Sequence, residues 1–267
     1  MSEMPRARKI IFAALPFVLV IGLYTSASYI IHAENPNYKI LPTYGKMIKA
    51  LQTRAFIEDP VHEKIVVLND TVDSLFRLFT GIIAASFLGL IIGINMGLSS
   101  IFRALSESFI TVISIIPALA LLPILFITLG SEDQGKIILI FIGTFPFICR
   151  DIFLYTKTIP AEQIIKSHTL GASPFQITYK IIFPQIMPRL LDTTRLSFGA
   201  GWLFLIAGEA TAAQSGLGYR IFLVQRYLAM DLIIPYVIWI TLLGFLIDTV
   251  LKQIIHKKYK WYIEQNA

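Results

Sequence analysis

The sequence predicts an all-α integral membrane protein with six transmembrane helices. Of its 267 residues, 55% are hydrophobic, and the mean hydropathy is +0.69. The apolar residues lie in long unbroken runs, whereas transmembrane strands would give short alternating segments. A helix satisfies its own backbone hydrogen bonds in hydrocarbon, and about 20 residues cross a core of about 30 Å. The runs predict spans at 10–31, 75–98, 108–129, 136–156, 186–211 and 231–255.

We expect these spans to form one transmembrane domain over residues 1–267. The net charge is +6, and basic residues gather before the first span, around residues 157–188 and after the last span. The excursion 32–70 instead balances five basic residues against five acidic ones. Basic residues favour the cytoplasmic side of a membrane, so both termini are predicted to be cytoplasmic. The basicity then reflects topology and gives no reason to expect a nucleic-acid partner.

The first span has the basic start of a signal peptide. Its apolar run reaches roughly twenty residues, longer than the about 7–15 of a signal peptide, so we expect an uncleaved anchor. In the outer excursion, Met47, Ile48, Ala50 and Leu51 recur at helical spacing and predict a short amphipathic helix.

Small residues recur at every fourth position of the second span and form one stripe on its helix. They are Gly81, Ala85, Gly89, Gly93 and Gly97. Such a stripe lets a neighbouring helix approach closely, and it can also let helices slide. Pro117 and Pro123 in the third span and Pro146 in the fourth each remove a backbone donor. We expect bends there, which serve either packing or a central route.

The stretch 157–188 is polar and lies between two spans. Small residues interrupt it at 171–174, and two prolines follow near its end. This pattern predicts a short helix–turn–helix on the membrane surface, which would bind a soluble partner.

Ionisable residues inside spans are costly and usually face protein or water. Asp192 and Arg195 lie three residues apart and are expected to pair, while Asp248 lies within one turn of Lys252. Charge satisfaction is the favoured role for these groups. Glu209 is predicted near the outer end of the fifth span, where a structural role and contact with a solute both stay open.

Three patterns typical of enzymes or metal sites fail on inspection. Residues 130–136 fit the start of a phosphate-binding loop, but Ile137 stands where such a loop needs Ser or Thr. The four histidines lie in loops or at span ends, so a membrane-embedded protease would lack its base. The lone Cys149 excludes an intramolecular disulfide and has no partner for a metal. We expect no catalytic residue, metal or cofactor.

Several motifs follow one another along the chain, among them the glycine stripe, Pro117-Ala-Leu-Ala-Leu-Leu-Pro123, Ala207-Gly208-Glu209 and Ser215-Gly-Leu-Gly218. With them the chain resembles the six-span permease subunits of bacterial ABC importers of the nitrate/sulfonate/taurine type. That family has a cytoplasmic signature: Glu-Ala-Ala, a glycine six residues after the Glu, and a Leu-Pro thirteen residues further. Gly171 and Pro184 match its spacing, whereas Ile165, Lys166 and Ser167 replace its triplet.

The resemblance implies a type I ABC importer permease in the bacterial inner membrane, embedded in lipid and paired with a second permease copy or with a similar permease. It implies cytoplasmic ATPase subunits that hydrolyse ATP, and an external binding protein that delivers a small, often anionic solute. The residues it assigns to ATPase coupling are Ile165, Lys166, Ser167, Gly171, Ala172, Pro174 and Pro184. Candidates for the translocation path or gating are Pro117, Pro123, Arg195 and Glu209; Arg77 or Arg195 would favour an anion.

Two other classes of function stay as alternatives. A self-contained secondary transporter would show inverted repeats and mid-membrane charges, and the sequence shows neither feature. A membrane scaffold that only anchors a partner would have no use for the glycine stripe and the bent spans.

Overall fold

The computed structural model describes residues 6–35, 38–56 and 65–266, and the regular elements in these ranges are helices. They are α1 (Arg6–Glu34), α2 (Tyr44–Ala50), α3 (Val66–Leu98), α4 (Ser100–Ile115), α5 (Leu122–Leu129), α6 (Asp133–Thr156), α7 (Ala161–Thr169), α8 (Pro174–Ile177), α9 (Phe183–Ala212), α10 (Leu217–Gln225), α11 (Met230–Lys258) and α12 (Lys260–Asn266). Residues 57–64, which contribute to the charge balance of the outer excursion, lie outside the described ranges.

The chain divides into two units, and the first combines the residues up to Leu68 with Ile221–Trp239. In it, α1 holds the segment that precedes α2. The Tyr24 hydroxyl donates to the Pro42 carbonyl at 2.7 Å, and the Tyr24 and Tyr44 rings lie 5.9 Å apart. Helix α2 buries Met47 and Ala50, so the predicted short amphipathic helix is present.

The second unit combines Asn69–Arg220 with the chain from Ile240 onward, and the glycine stripe of α3 organises its core. A Cβ atom added at Gly81 would lie 2.8 Å from Ile140 Cβ. One added at Gly93 would lie 2.8 Å from the Cys149 carbonyl oxygen. The stripe therefore brings α3 into close contact with α6, which confirms its packing role.

Helix α9 completes the core of the second unit. The Ser86 and Thr194 hydroxyls, on α3 and α9, share a hydrogen bond of 2.9 Å. On the α6 side, a Cβ atom at Gly143 would overlap the Phe204 ring of α9. Glycines on α3 and α6 thus make room for larger side chains of the facing helix, such as Ile140 on α6 and Phe204 on α9.

The predicted third span, 108–129, is not one helix. Helix α4 ends at Ile115, a 3₁₀ turn follows at Ala118–Leu121, and α5 runs at 82° to α4. Pro117 causes the break, because the residue before a proline is driven from the helical region and Ile116 is extended here. The expected bend at Pro123 is wrong: this proline lies in the first turn of α5, where its missing N–H costs nothing.

Within the described ranges, α1, α3, α6 and α11 are long and apolar enough to cross a membrane, and the bent α4–α5 pair is a fifth if its two helices count as one span. Helix α9 has 30 residues but is not in that set. It covers the predicted fifth span and carries Arg189, Asp192, Arg195 and Glu209. The chain neutralises these four charges internally, as the contacts below show.

Candidate functional site

The predicted helix–turn–helix is present in the segment 157–182, which we call the surface segment. Helices α7 and α8 and a π-helical turn at Thr178–Ile182 follow one another along it. Ile159, Ile177 and Ile182 are buried in a cluster with residues of α3, α4, α6 and α9. Helix α7 buries no residue. The surface segment is therefore anchored at both ends and exposed between them.

The small residues of the surface segment act on the local backbone. Gly171 has φ of +81°, its N–H donates to the His168 carbonyl, and the Ala172 N–H donates to the Ser167 carbonyl. This paired pattern ends a helix at a left-handed glycine. A Cβ atom at Gly171 would have nothing within 4 Å, so close packing inside the chain is not its reason.

The second helix of the surface segment has its own start signal. Ser173 and Gln176 form a reciprocal capping box, and Pro174 lies in the first turn. Pro184 lies likewise in the first turn of α9 and is exposed. The prolines and small residues in the matched signature thus fix where three helices end or begin.

Large apolar and aromatic side chains point away from the anchored face of the surface segment. Ile165 is 63% exposed, Leu170 87%, Phe175 77% and Tyr179 61%. Lys166 is also exposed. A row of exposed apolar side chains in a segment this polar is typical of a protein–protein contact surface.

Glu209 lies in a buried polar cluster at the end of α9. Its side chain is fully buried, and Arg77 Nη1 donates to its Oε1 at 2.6 Å. The Ser74 hydroxyl donates to Oε1 at 2.8 Å, and the Gly218 N–H donates to Oε2 at 2.8 Å. Arg77 is also bound through Nε to Asp133 at 2.6 Å.

The same cluster holds the loop before α10. Arg77 Nη1 donates to the Ser215 carbonyl at 2.9 Å, and the Gly216 N–H donates to Asp70 at 2.9 Å. Asp70 accepts in turn from Arg220 Nε at 2.8 Å. Asp70, Ser74 and Arg77 recur at helical spacing on one face of α3, a signal that the sequence analysis missed. The cluster thus joins α3, α9 and the loop, and Glu209 has no exposed surface for a solute.

Arg195 is engaged by two carboxylates. Its Nη2 lies 2.9 Å from Asp192 Oδ1, which confirms the predicted pair. Its Nη1 lies 2.8 Å from Asp248 Oδ1 of α11. The expected placement of Asp248 beside Lys252 was therefore incomplete, because a partner on another helix forms the ion pair. Nearer the start of α9, Arg189 pairs with Asp151 of α6 at 2.5 Å.

Lys136, the lysine of the rejected phosphate-loop pattern, is buried. Its ammonium donates to the Ser131 carbonyl at 2.7 Å and to the Glu132 carbonyl at 3.3 Å. The side chain thus turns back to bind the loop before α6, and it leaves no cation there for a phosphate.

A cavity of about 520 Å³ opens beside the break between α4 and α5. Its lining includes Ser114, Pro117, Pro146, Arg150 and Phe204. Of the residues predicted for the translocation path, Pro117 lines this cavity, whereas Pro123, Arg195 and Glu209 do not. Arg150 is one of the basic residues around 157–188 from which the sequence predicts topology, and its place in this cavity was not predicted.

The fold and these sites define a polytopic helical membrane protein with an anchored surface segment that exposes apolar side chains. Residues 81–258 match the family described as binding-protein-dependent transport system inner membrane component. The chain belongs to this family of transport permeases, and it is a permease subunit of an ABC importer. The predicted fold class and function are confirmed.

Individual relatives support the same assignment. The taurine transport system permease protein TauC of Escherichia coli is 30% identical over 191 residues, which cover 72% of this chain and 70% of TauC. A probable ABC transporter permease protein of Brucella melitensis is 30% identical over 197 residues, 73% of this chain and 79% of its own length. The nitrate import permease protein NrtB of Synechocystis is 28% identical over 175 residues, 66% of this chain and 64% of its own.

A solved structure supports the fold. An inward-facing conformation of the MetNI methionine ABC transporter aligns with a TM-score of 0.62 at 19% identity. The alignment covers 72% of this chain and 95% of the matched chain. At this identity the likeness concerns the fold alone, which is that of an ABC importer permease.

Proposed function

We propose that two copies of this chain form the translocation path of an importer, each as one domain over residues 1–267, and that separate ATPase subunits bind the surface segment and hydrolyse ATP. The observation that carries the proposal is the row formed by Ile165, Leu170, Phe175 and Tyr179, exposed on a segment anchored by its other face. Lys166 lies beside this row and offers a positive charge to an acidic groove.

The same proposal sets the orientation. ATPase binding requires the surface segment to be cytoplasmic, as the basic residues around 157–188 favour, and both termini then lie on that side. The Glu209 cluster falls at the outer end, where a binding protein delivers the solute. Lipid would cover the exposed apolar side chains of α1, such as Phe17 and Val20.

For the solute we propose nitrate or a small molecule that carries an ionised sulfonate group. Support comes from the relatives TauC and NrtB, whose names state taurine, which carries a sulfonate group, and nitrate. Among the predicted path residues, we assign Pro117 to the path because it lines the cavity. We assign Pro123, Arg195 and Glu209 to holding the helices in place.

The test is co-purification of the tagged chain in mild detergent with identification of what accompanies it. We expect an ATPase to accompany the wild type, and Leu170→Glu with Phe175→Glu to reduce its recovery at least about tenfold, since buried aromatic anchors carry most interface energy. Phe56→Glu is the matched control. Phe56 is 55% exposed on the segment predicted to lie on the opposite side, so the ATPase should remain.

Two results would contradict the proposal. One is an ATPase recovered equally with the double variant, which would place docking elsewhere. The other is a wild-type chain that purifies alone in several detergents and takes up solute on an ion gradient, as a secondary transporter does.

A further inference from the structure

The arginines of the second unit differ in what they bind. Arg77, Arg189 and Arg195 each lie within 2.9 Å of a carboxylate oxygen. Arg150, on α6, is exposed and makes neither an ion pair nor a hydrogen bond within the described part of the chain. Because an ionisable group at membrane depth is costly, an arginine left without a carboxylate there requires a reason.

Arg150 lines the cavity beside the α4–α5 break. The other lining is mainly apolar, with Ser114 as a further polar side chain and no acidic residue. Pro146 also lines the cavity, and it lacks the N–H that the Ile142 carbonyl would otherwise accept. At about 520 Å³ the cavity has the size of a small-molecule site. Its one cation therefore acts without a competing carboxylate.

We propose that Arg150 is the cation that the transported anion meets inside the membrane, in the cavity formed by the α4–α5 break. The proposal rests on the proposed import of a small anion and adds the residue that contacts it. Arg77 and Arg195, the arginines favoured from the sequence for this role, are neutralised by Glu209, Asp133, Asp192 and Asp248. A sulfonate group or a nitrate ion would pair with the Arg150 guanidinium as a carboxylate would, and the cavity lining supplies no carboxylate.

The competing role for Arg150 is a cation that extends to the membrane surface and serves topology alone. The two roles differ in the electrostatic potential inside the cavity. If the guanidinium faces the cavity, anions concentrate there and cations are repelled; if it extends to the surface, they are not.

A cysteine probe measures this potential without knowledge of the solute. Cys149 is the chain's lone cysteine, so Cys149→Ala gives a cysteine-free background. Ser114→Cys then places a thiol in the cavity, and Ser131→Cys places a control thiol in the exposed loop before α6. The complex purified with its ATPase is treated with an anionic methanethiosulfonate that carries a sulfonate, and separately with a cationic trimethylammonium analogue.

We expect Arg150→Gln to lower the ratio of anionic to cationic reaction rates at the cavity thiol by about 3–10-fold, and to leave the ratio at the control thiol unchanged. Arg150→Lys should restore most of the ratio. Three results would overturn the proposal. The ratio at the cavity thiol could stay unchanged, it could change equally at both thiols, or the cavity thiol could react with neither reagent.

A transport assay distinguishes the proposed role of Arg150 from the proposed import function on which it rests. Uptake is measured in vesicles that hold the whole complex, with the binding protein added and with taurine, ethanesulfonate and nitrate tested in turn. We expect Arg150→Gln to reduce uptake of the solute that the wild type transports about tenfold. The ATPase should stay bound to the variant. Equal uptake by wild type and variant would overturn the role of Arg150 alone. A wild type that binds no ATPase and transports none of the three solutes would overturn the proposed function, whatever the labelling ratio.

Discussion

The Glu209 cluster and the surface segment differ in how they treat unfavourable groups. The cluster has buried charges that are paired within the chain, and the segment has apolar side chains that the chain leaves exposed. In the Glu209 cluster, the buried carboxylates find donors within the chain: Arg77 and Ser74 donate to Glu209, and Arg220 donates to Asp70. In the surface segment, apolar groups such as Leu170 and Phe175 are exposed and lack cover in the described structure. The first arrangement stabilises the fold, and the second leaves an apolar surface that the proposed ATPase would cover. Stability and partner binding should therefore respond to mutation separately.

The largest effect on stability is expected from Glu209→Ala. It leaves the Arg77 guanidinium buried with Asp133 as its remaining carboxylate, and breaking a buried pair costs about 3–5 kcal/mol. Thermal unfolding of the detergent-solubilised chain measures it. Asp133→Ala is the comparison, because Asp133 is 48% exposed and its loss should cost less. A Glu209→Ala variant as stable as the wild type would remove the structural role of the cluster.

Gly216→Ala should be the next largest effect. Gly216 has φ of +120°, and a Cβ atom there would overlap the Glu209 carboxylate, so we expect a loss of about 1–3 kcal/mol by overpacking. Gly199→Ala on α9 is the control: a Cβ atom there meets nothing within 4 Å, and alanine favours a helix over glycine. The same unfolding assay should show opposite signs, and equal signs would contradict the packing of the loop on Glu209.

Ser173→Ala tests the surface segment with a smaller effect. It removes one half of the capping box, which we expect to cost about 1 kcal/mol of stability while the ATPase stays bound. Both readouts come from one preparation, by unfolding and by co-purification. Loss of the ATPase without a change in unfolding temperature would show that Ser173 contacts the partner, and would sharpen the division between the two regions.

Local patterns in the sequence predicted much of the fold. The glycine stripe predicted close helix packing on α3, and the small residues at 171–174 predicted the turn between α7 and α8. Both succeed because the cause lies within a few residues of its effect. The angle of the break at Pro117 could not be predicted in this way. A proline indicates only a lost donor, whereas the packing of Ala118 and Leu122 against Leu139 of α6 places the 3₁₀ turn and α5.

The candidate sites are formed by residues far apart in the sequence, and local sequence patterns predicted these contacts poorly. Arg77 and Glu209 lie 132 residues apart, and nothing local pairs them. Asp248 lies 53 residues from Arg195, so the neighbour Lys252 was the visible partner. Arg150 was missed for the opposite reason, because its significance is the lack of a carboxylate in a cavity that forms only after α4, α5 and α6 have packed.

The glycine stripe also has a mechanical consequence. A Cβ atom at Gly93 would lie 2.8 Å from the Cys149 carbonyl oxygen and 2.9 Å from Ile152 Cβ, so α3 contacts both the backbone of α6 and the stiff base of a β-branched side chain there. Since close-packed interiors transmit strain, such a contact passes a push from one helix to the other with little loss. Helices α3 and α6 would then move together as one rigid body. The 82° break between α4 and α5, where the helix is interrupted, would be more deformable than this contact.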